Sequence, residues 1–242
     1  MKKTLVIVIT ASLGLVLKAE ETNQNQHPVS ITLSSAVADK YLFPATGFAL
    51  SHNPVVQTDL LLTHKSGFYV DLWNSRSLRG KWDDGSLGNE IDYGIGWNGT
   101  LKDLTAHVGV TYFDEPGAFV FGSGDILYSH ARIGKDFKHL TITVGYENYV
   151  TMPESGFQGG HLISLTASKN FSFLKDKVSL ATSLAGVYDT GTLGSEREFF
   201  VRGNVGINWN ASKHITLNLI SANYFIRRAS DVSVASGFTL NF

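Results

Sequence analysis

The chain has 242 residues, no cysteine, 24 glycines, 17% charged residues and 43% hydrophobic ones. Charge falls well below the soluble average of about 25%, and glycine exceeds its usual share of roughly 7%. With 20 Lys+Arg against 21 Asp+Glu there is no net field to hold a nucleic acid, and the lack of cysteine excludes disulfides, thiolate metal sites, cysteine nucleophiles and a lipoprotein anchor.

The first segment, 1–19, has the form of a secretory signal. Lys2 and Lys3 precede an uncharged, mostly apolar run over 4–17, and Ala19 suits the residue before a cleavage site. That run is too short to span a bilayer as a helix, which takes roughly 20 residues. Residues 20–28 form a polar lead-in expected in the periplasm. No later stretch is apolar enough for a spanning helix.

From 29 onward the period is two. Strands are predicted near 29–38, 55–64, 68–75, 89–98, 104–112, 126–135, 139–149, 160–169, 177–188, 199–209, 214–223 and 231–242. In the fifth, Leu104, Ala106, Val108, Val110 and Tyr112 alternate with Thr105, His107, Gly109 and Thr111. In the last, Val232, Val234, Phe238, Leu240 and Phe242 share a face that only Ser236 interrupts.

Short and long connections alternate along the chain. Tight ones fall at 65–67, 99–103, 136–138, 170–176 and 210–213, and longer Gly-, Pro-, Ser- and Asp-rich ones at 40–54, 76–87, 114–125, 150–159, 190–198 and 224–230. That rhythm predicts an all-β, up-and-down antiparallel transmembrane β-barrel of about 12 strands over 29–242, with periplasmic turns, outer loops and both termini periplasmic.

Charge placement separates a membrane barrel from a soluble one. A soluble barrel would fill its polar phase with Lys and Glu, whereas this polar phase is Thr, Ser, Gly, Asn and Ala. No mid-strand charge falls on the apolar phase, as lipid contact requires. Trp97, Trp209 and Phe242 fall near one rim and Tyr112, Tyr188 and Tyr224 near the other, as interfacial belts would.

The few ionisable groups on the polar phase are the expected lumen-lining set: Asp59, Asp71, Glu90, Asp92, His107, His130, Arg132, Glu147 and Arg202. Acids gather on strands two to four and the arginines on six and ten, an asymmetry suited to orienting small polar solutes with a mild preference for cations. The expected function is a porin-like channel for passive diffusion of small polar or charged solutes in the bacterial outer membrane. The alternative is a closed structural or adhesive barrel whose inward charges pair with one another.

An outer-membrane lipid hydrolase is a further alternative, but its Ser and His must meet. Ser129 and His130 have opposite phase, as do His161 and Ser164, so the chain is read as a non-enzyme. His64, His139 and His214 flank turns 75 residues apart, without the close spacing of metal ligands, and neither a metal nor another cofactor is expected.

Two stretches carry a family resemblance. A terminal strand ending in Phe242 is similar to bacterial outer-membrane proteins, which implies recognition by the barrel-insertion machinery. His52-Asn53-Pro54-Val55-Val56-Gln57, then Ser66-Gly67-Phe68-Tyr69 and Trp73-Asn74-Ser75, resembles the first hairpin of the TorF-type porin family. That family usually carries Tyr-x-Phe-Arg-Gly just upstream. Here Tyr41-Leu42-Phe43-Pro44-Ala45-Thr46-Gly47 has no arginine. The resemblance implies outer-membrane lipid around the wall, small solutes as partners, and no catalytic residues.

Overall fold

Twelve antiparallel strands join edge to edge in a closed barrel, so every strand has two neighbours. They are β1 (Val29–Ala38), β2 (Val55–His64), β3 (Phe68–Ser77), β4 (Glu90–Leu101), β5 (Leu104–Asp114), β6 (Ile126–Asp136), β7 (Thr141–Thr151), β8 (Gly160–Phe173), β9 (Val178–Asp189), β10 (Glu198–Asn210), β11 (Ile215–Ile226) and β12 (Val232–Asn241). The computed structural model describes residues 6–11, 13–18, 28–79, 89–114, 125–151, 158–226 and 231–242. Each strand pairs with its sequence neighbour, and β12 pairs with β1 to close the ring. At that seam Ile31 and Phe242 exchange backbone hydrogen bonds of 3.1 and 2.9 Å.

Residues Val6–Ala11 and Leu13–Lys18 pair with each other in a two-stranded sheet that is not hydrogen-bonded into the barrel. The expected cleavage position at Ala19 and residues 20–27 of the lead-in lie outside the described residues. Within the described residues the one helical element is a 3-10 turn at Thr192–Gly194, and no helix is long and apolar enough to cross a membrane.

One end of the barrel carries the turns at 65–67, 102–103, 137–140, 174–177 and 211–214. Gly67 shows why the first takes the residue it has. Its φ is +93°, and an added Cβ would lie 1.9 Å from the carbonyl oxygen of Asn98. The same turn is tied to β4 by Asn98 N to Gly67 O at 2.8 Å and Trp97 Nε1 to Ser66 O at 2.9 Å.

Outward residues form an apolar band. Val70, Ile95, Val108, Val144, Ile163 and Leu165 are each between 44% and 63% exposed, although all lie within strands. Solvent would penalise such a continuous surface, while lipid favours it. Strands of 10 to 14 residues suit it, since a tilted strand crosses hydrocarbon in about 9 to 11.

Several strand ends and one register depart from the sequence expectation. Strand β8 runs to Phe173 rather than 169, so the turn expected at 170–176 contracts to 174–177. Lys169 thereby lies inside a strand on the outward side, and its Nζ sits 4.6 Å from the centre of the Phe171 ring. Neighbouring Ser168 is level with Thr141, the first residue of β7, so Lys169 is at the turn-side rim, where its ammonium reaches water. In β11 the alternation breaks at Leu219 and Ile220, which are 49% and 46% exposed, because the register with β12 shifts between Asn218 and Ser221.

The inward phase is mild only near the turns. Toward the loop end, Phe113, Ile126, Leu162, Val187, Phe200 and Phe225 point inward and are buried. Their partners come from a connection expected to lie outside the barrel. Segment 39–54 folds down into the interior, and Leu42, Phe43 and Ala45 complete the cluster. The expectation of a mild inward phase of Thr, Ser, Gly, Asn and Ala is therefore corrected toward the loop end, where inward apolar residues pack against this loop.

Candidate functional site

The geometry of segment 39–54 sets the site. Its neck is pinned to β12: Ser233 Oγ donates to Lys40 O at 2.9 Å, Val234 N to Asp39 Oδ1 at 2.8 Å, and Lys40 Nζ to Asp231 Oδ1 at 2.8 Å. A short ladder pairs Tyr41–Leu42 with Ala49–Ser51. The tip turns tightly, with Phe43 O accepting from Gly47 N at 2.8 Å. Gly47 has φ +76°, and a Cβ there would lie 2.5 Å from the Phe225 ring, so the turn seats against the wall only as glycine.

Beneath the loop lies a cavity of about 130 Å³. By the volume a water needs, it holds on the order of ten waters. Eight of the nine residues expected in the lumen line it: Asp59, Asp71, Asp92, His107, His130, Arg132, Glu147 and Arg202. The ninth, Glu90, is buried at the loop end of β4 in contact with Asp92 and Tyr41 rather than on the cavity surface.

The basic groups converge on one acid. Glu147 Oε1 accepts from Arg132 at 3.2 Å and from Arg202 at 3.1 Å, while Glu147 Oε2 accepts from the Tyr149 hydroxyl at 3.1 Å. Arg132 also donates to Tyr128 at 2.9 Å, and Arg202 to the carbonyl oxygen of Pro44 at 2.9 Å. An ion triplet so buried is held by the completeness of its hydrogen bonds. It links β6, β7, β10 and the loop tip across the interior.

The acids occupy a separate wall. Registers across β2, β3 and β4 place Asp59, Trp73 and Asp92 in one inward row, with Asp71 one row nearer the turns and Glu90 one row nearer the loops. Next to this wall, the Tyr69 hydroxyl lies 2.9 Å from His107 Nε2, which is 3.2 Å from His130 Nε2.

Sequence reasoning missed the aromatic lining. Tyr69 and Trp73 share the phase of Asp71, Tyr128 that of His130 and Arg132, and Tyr149 that of Glu147, and all four line the cavity. Phase alone would have found them. Tyr41, Phe43 and Pro44 also line it, and their signal was an apolar run inside a segment otherwise read as loop.

The pairs considered for hydrolysis do not meet. His130 is buried inside while Ser129 lies on the other face of the strand. His161 is exposed on the outside with its Nδ1 2.9 Å from the Tyr146 hydroxyl, whereas Ser164 is buried inward. Among the described residues no group of three or more His, Asp or Glu is placed to hold a metal ion.

A family profile described as bacterial protein of unknown function (Gcw_chp) matches residues 22–238. The chain belongs to the Gcw_chp family. No curated protein sequence matches it. Solved structures share its fold. The KdgM porin in complex with disordered oligogalacturonate has a TM-score of 0.57 at 10% identity, over 88% of this chain and 99% of that one. The NanC porin reaches 0.54 at 9% identity over 87% and 98%. The COG4313 outer membrane channel from Pseudomonas putida F1 reaches 0.50 at 12% identity over 89% and 96%. At such identities the likeness is one of fold, that of the outer-membrane porin barrel.

Proposed function

We propose that this Gcw_chp protein is a porin-like channel of the bacterial outer membrane, which lets small polar or charged solutes diffuse passively. The observation that carries this reading is a charged cavity of about 130 Å³ inside a closed barrel whose outer surface is apolar. A barrel of twelve strands is narrower than a general porin of 16 or more, so solutes are small. The resemblance of 52–75 to the first hairpin of TorF-type porins supports the same reading. Signal-directed export over 1–19 and insertion guided by a last strand ending in Phe242 belong to it.

The folded-in loop supports a second reading, a closed structural barrel. Its apolar cluster and the Arg132–Glu147–Arg202 triplet fill the loop end of the interior. Planar-bilayer conductance separates the two. The channel reading expects small discrete steps from wild-type protein and larger ones when Phe43→Ala loosens the loop. Silence from both proteins, each inserted with heat-modifiable gel migration, overturns the channel and leaves the closed barrel.

A further inference from the structure

We propose that the wall formed by β2, β3 and β4 binds a small organic cation bearing N–H donors, a primary ammonium or a guanidinium group. The proposal rests on the channel reading for how such a solute arrives. It names the solute class of the same cavity.

The wall is built around one ring. Trp73, only 6% exposed, has Asp59 and Asp92 as its lateral neighbours on the inward face, with Asp71 two residues before it on its own strand. Directly across from Asp71 is Gly94, where a Cβ would come within 3.0 Å of the Asp71 Cβ. Glycine at that position thus keeps a side chain from crowding Asp71 on that side.

Two carboxyl oxygens on β2 and β3 lack a donor. The Asp59 and Asp71 carboxyls lie against each other, and each has an Oδ1 without a hydrogen-bond partner. Glu90 is 2% exposed, with its Oε2 unpartnered and its neighbours Asp92 and Tyr41 both on the cavity. His130, 9% exposed and lining the same cavity, has an Nδ1 with no partner. A buried acceptor left open is costly, the more so when charged, which favours whatever supplies hydrogens and positive charge together.

Among the described residues, the two arginines that line the cavity do not fill that role. Arg132 and Arg202 are engaged by Glu147, Tyr128 and Pro44 O. A bare divalent ion fits poorly, because no three of these groups converge on one point among the described residues. An alkylammonium or guanidinium meets the requirement in two ways. Its N–H groups make charge-assisted hydrogen bonds to the open carboxyl oxygens, and its charge rests against the indole.

The test uses the refolded full chain in detergent, titrated with methylguanidinium, propylammonium or tetramethylammonium chloride and followed by tryptophan fluorescence and calorimetry. The first two are expected to saturate one site, and tetramethylammonium, which has no N–H, to bind about tenfold more weakly. The isosteric double variant Asp59→Asn/Asp71→Asn is expected to weaken methylguanidinium binding by at least about tenfold, and Trp73→Leu by a smaller factor. Equal affinity for all three cations, undiminished binding in the double variant, or no saturation by wild-type protein overturns the site. Should the double variant fail to migrate as a folded barrel, the ranking of cations on wild-type protein still decides. Conductance is read separately: a chain that conducts without saturable binding loses the site and keeps the channel, and one that binds without conducting keeps the site and loses the channel.

Discussion

Arg202 donates its Nη1 hydrogen to the carbonyl oxygen of Pro44 at 2.9 Å, so a wall residue holds a loop tip 158 positions away in sequence. Its other terminal nitrogen binds Glu147 at 3.1 Å. Loop placement and the charge balance of the interior are thus set by the same side chain.

Replacing Arg202→Gln is therefore expected to do two things. Glu147 keeps only Arg132 as a cationic partner, which should cost about 3 kcal/mol, as breaking one side of a buried ion network does. The loop tip also loses its anchor, so segment 39–54 should become more sensitive to protease added from the loop side. Urea unfolding in detergent micelles and limited proteolysis check the two arms.

Phe43→Ala removes a ring that meets Phe113 at 6.0 Å and Tyr149 at 5.9 Å between ring centres. Truncating a buried phenylalanine costs about 3–5 kcal/mol when its site cannot collapse. A barrel wall closed by backbone hydrogen bonds cannot move inward to fill the space. The expected outcome is a barrel that still folds, with a lower unfolding midpoint and a mobile loop reported by a spin label at Ala45.

Val108 and Thr111 test the two faces. Val108 is 44% exposed on the outer band and Thr111 lines the cavity. Val108→Arg should destabilise folding into lipid by about 2–4 kcal/mol, the cost of an arginine near the bilayer midplane. A nitroxide at 108 should be relaxed by oxygen dissolved in lipid, and one at 111 by a water-soluble nickel chelate. Chelate access to position 108 as free as on a solvated loop would sink the membrane orientation.

The neck of the loop carries a pH dependence. The hydrogen bond from Lys40 holds the Asp231 carboxyl below its usual range, and the same bond raises the Lys40 ammonium above its own. A depressed acid contributes stability above its unfolded pKa and loses it as pH falls through the folded value. The Lys40–Asp231 contact should therefore persist at neutral pH and fail once pH drops below the ordinary carboxylate range near 4. As a partly exposed pair it is worth less than about 1 kcal/mol. Asp231→Asn should give the acid behaviour at every pH, read as faster proteolysis of the loop.

Gly67→Ala probes register. With φ at +93° and the Asn98 carbonyl in the way, alanine forces the β2–β3 turn to open. The loss should exceed about 1 kcal/mol and should slow refolding into micelles, measured by the growth of the heat-modifiable band.

How far the sequence reaches differs between parts of the molecule. The twelve strands, the alternation of short and long connections, and the inward phase of Asp59, Asp71, His130 and Glu147 follow from a period of two, which is local and needs only neighbouring residues. The extension of β8 to Phe173 and the break at Leu219–Ile220 were out of reach, because ends and bulges depend on the partner strand.

The chain's alternation by itself determined a barrel wall with one oily face and one mild face. Only the tertiary structure decided that Leu42, Phe43 and Ala45 turn inward to meet Phe200 and Phe225, that two arginines share Glu147, and that Trp73 stands among carboxyls. Those contacts join residues up to about 180 positions apart, and their energy exists only after the ring has closed and brought opposite walls within reach.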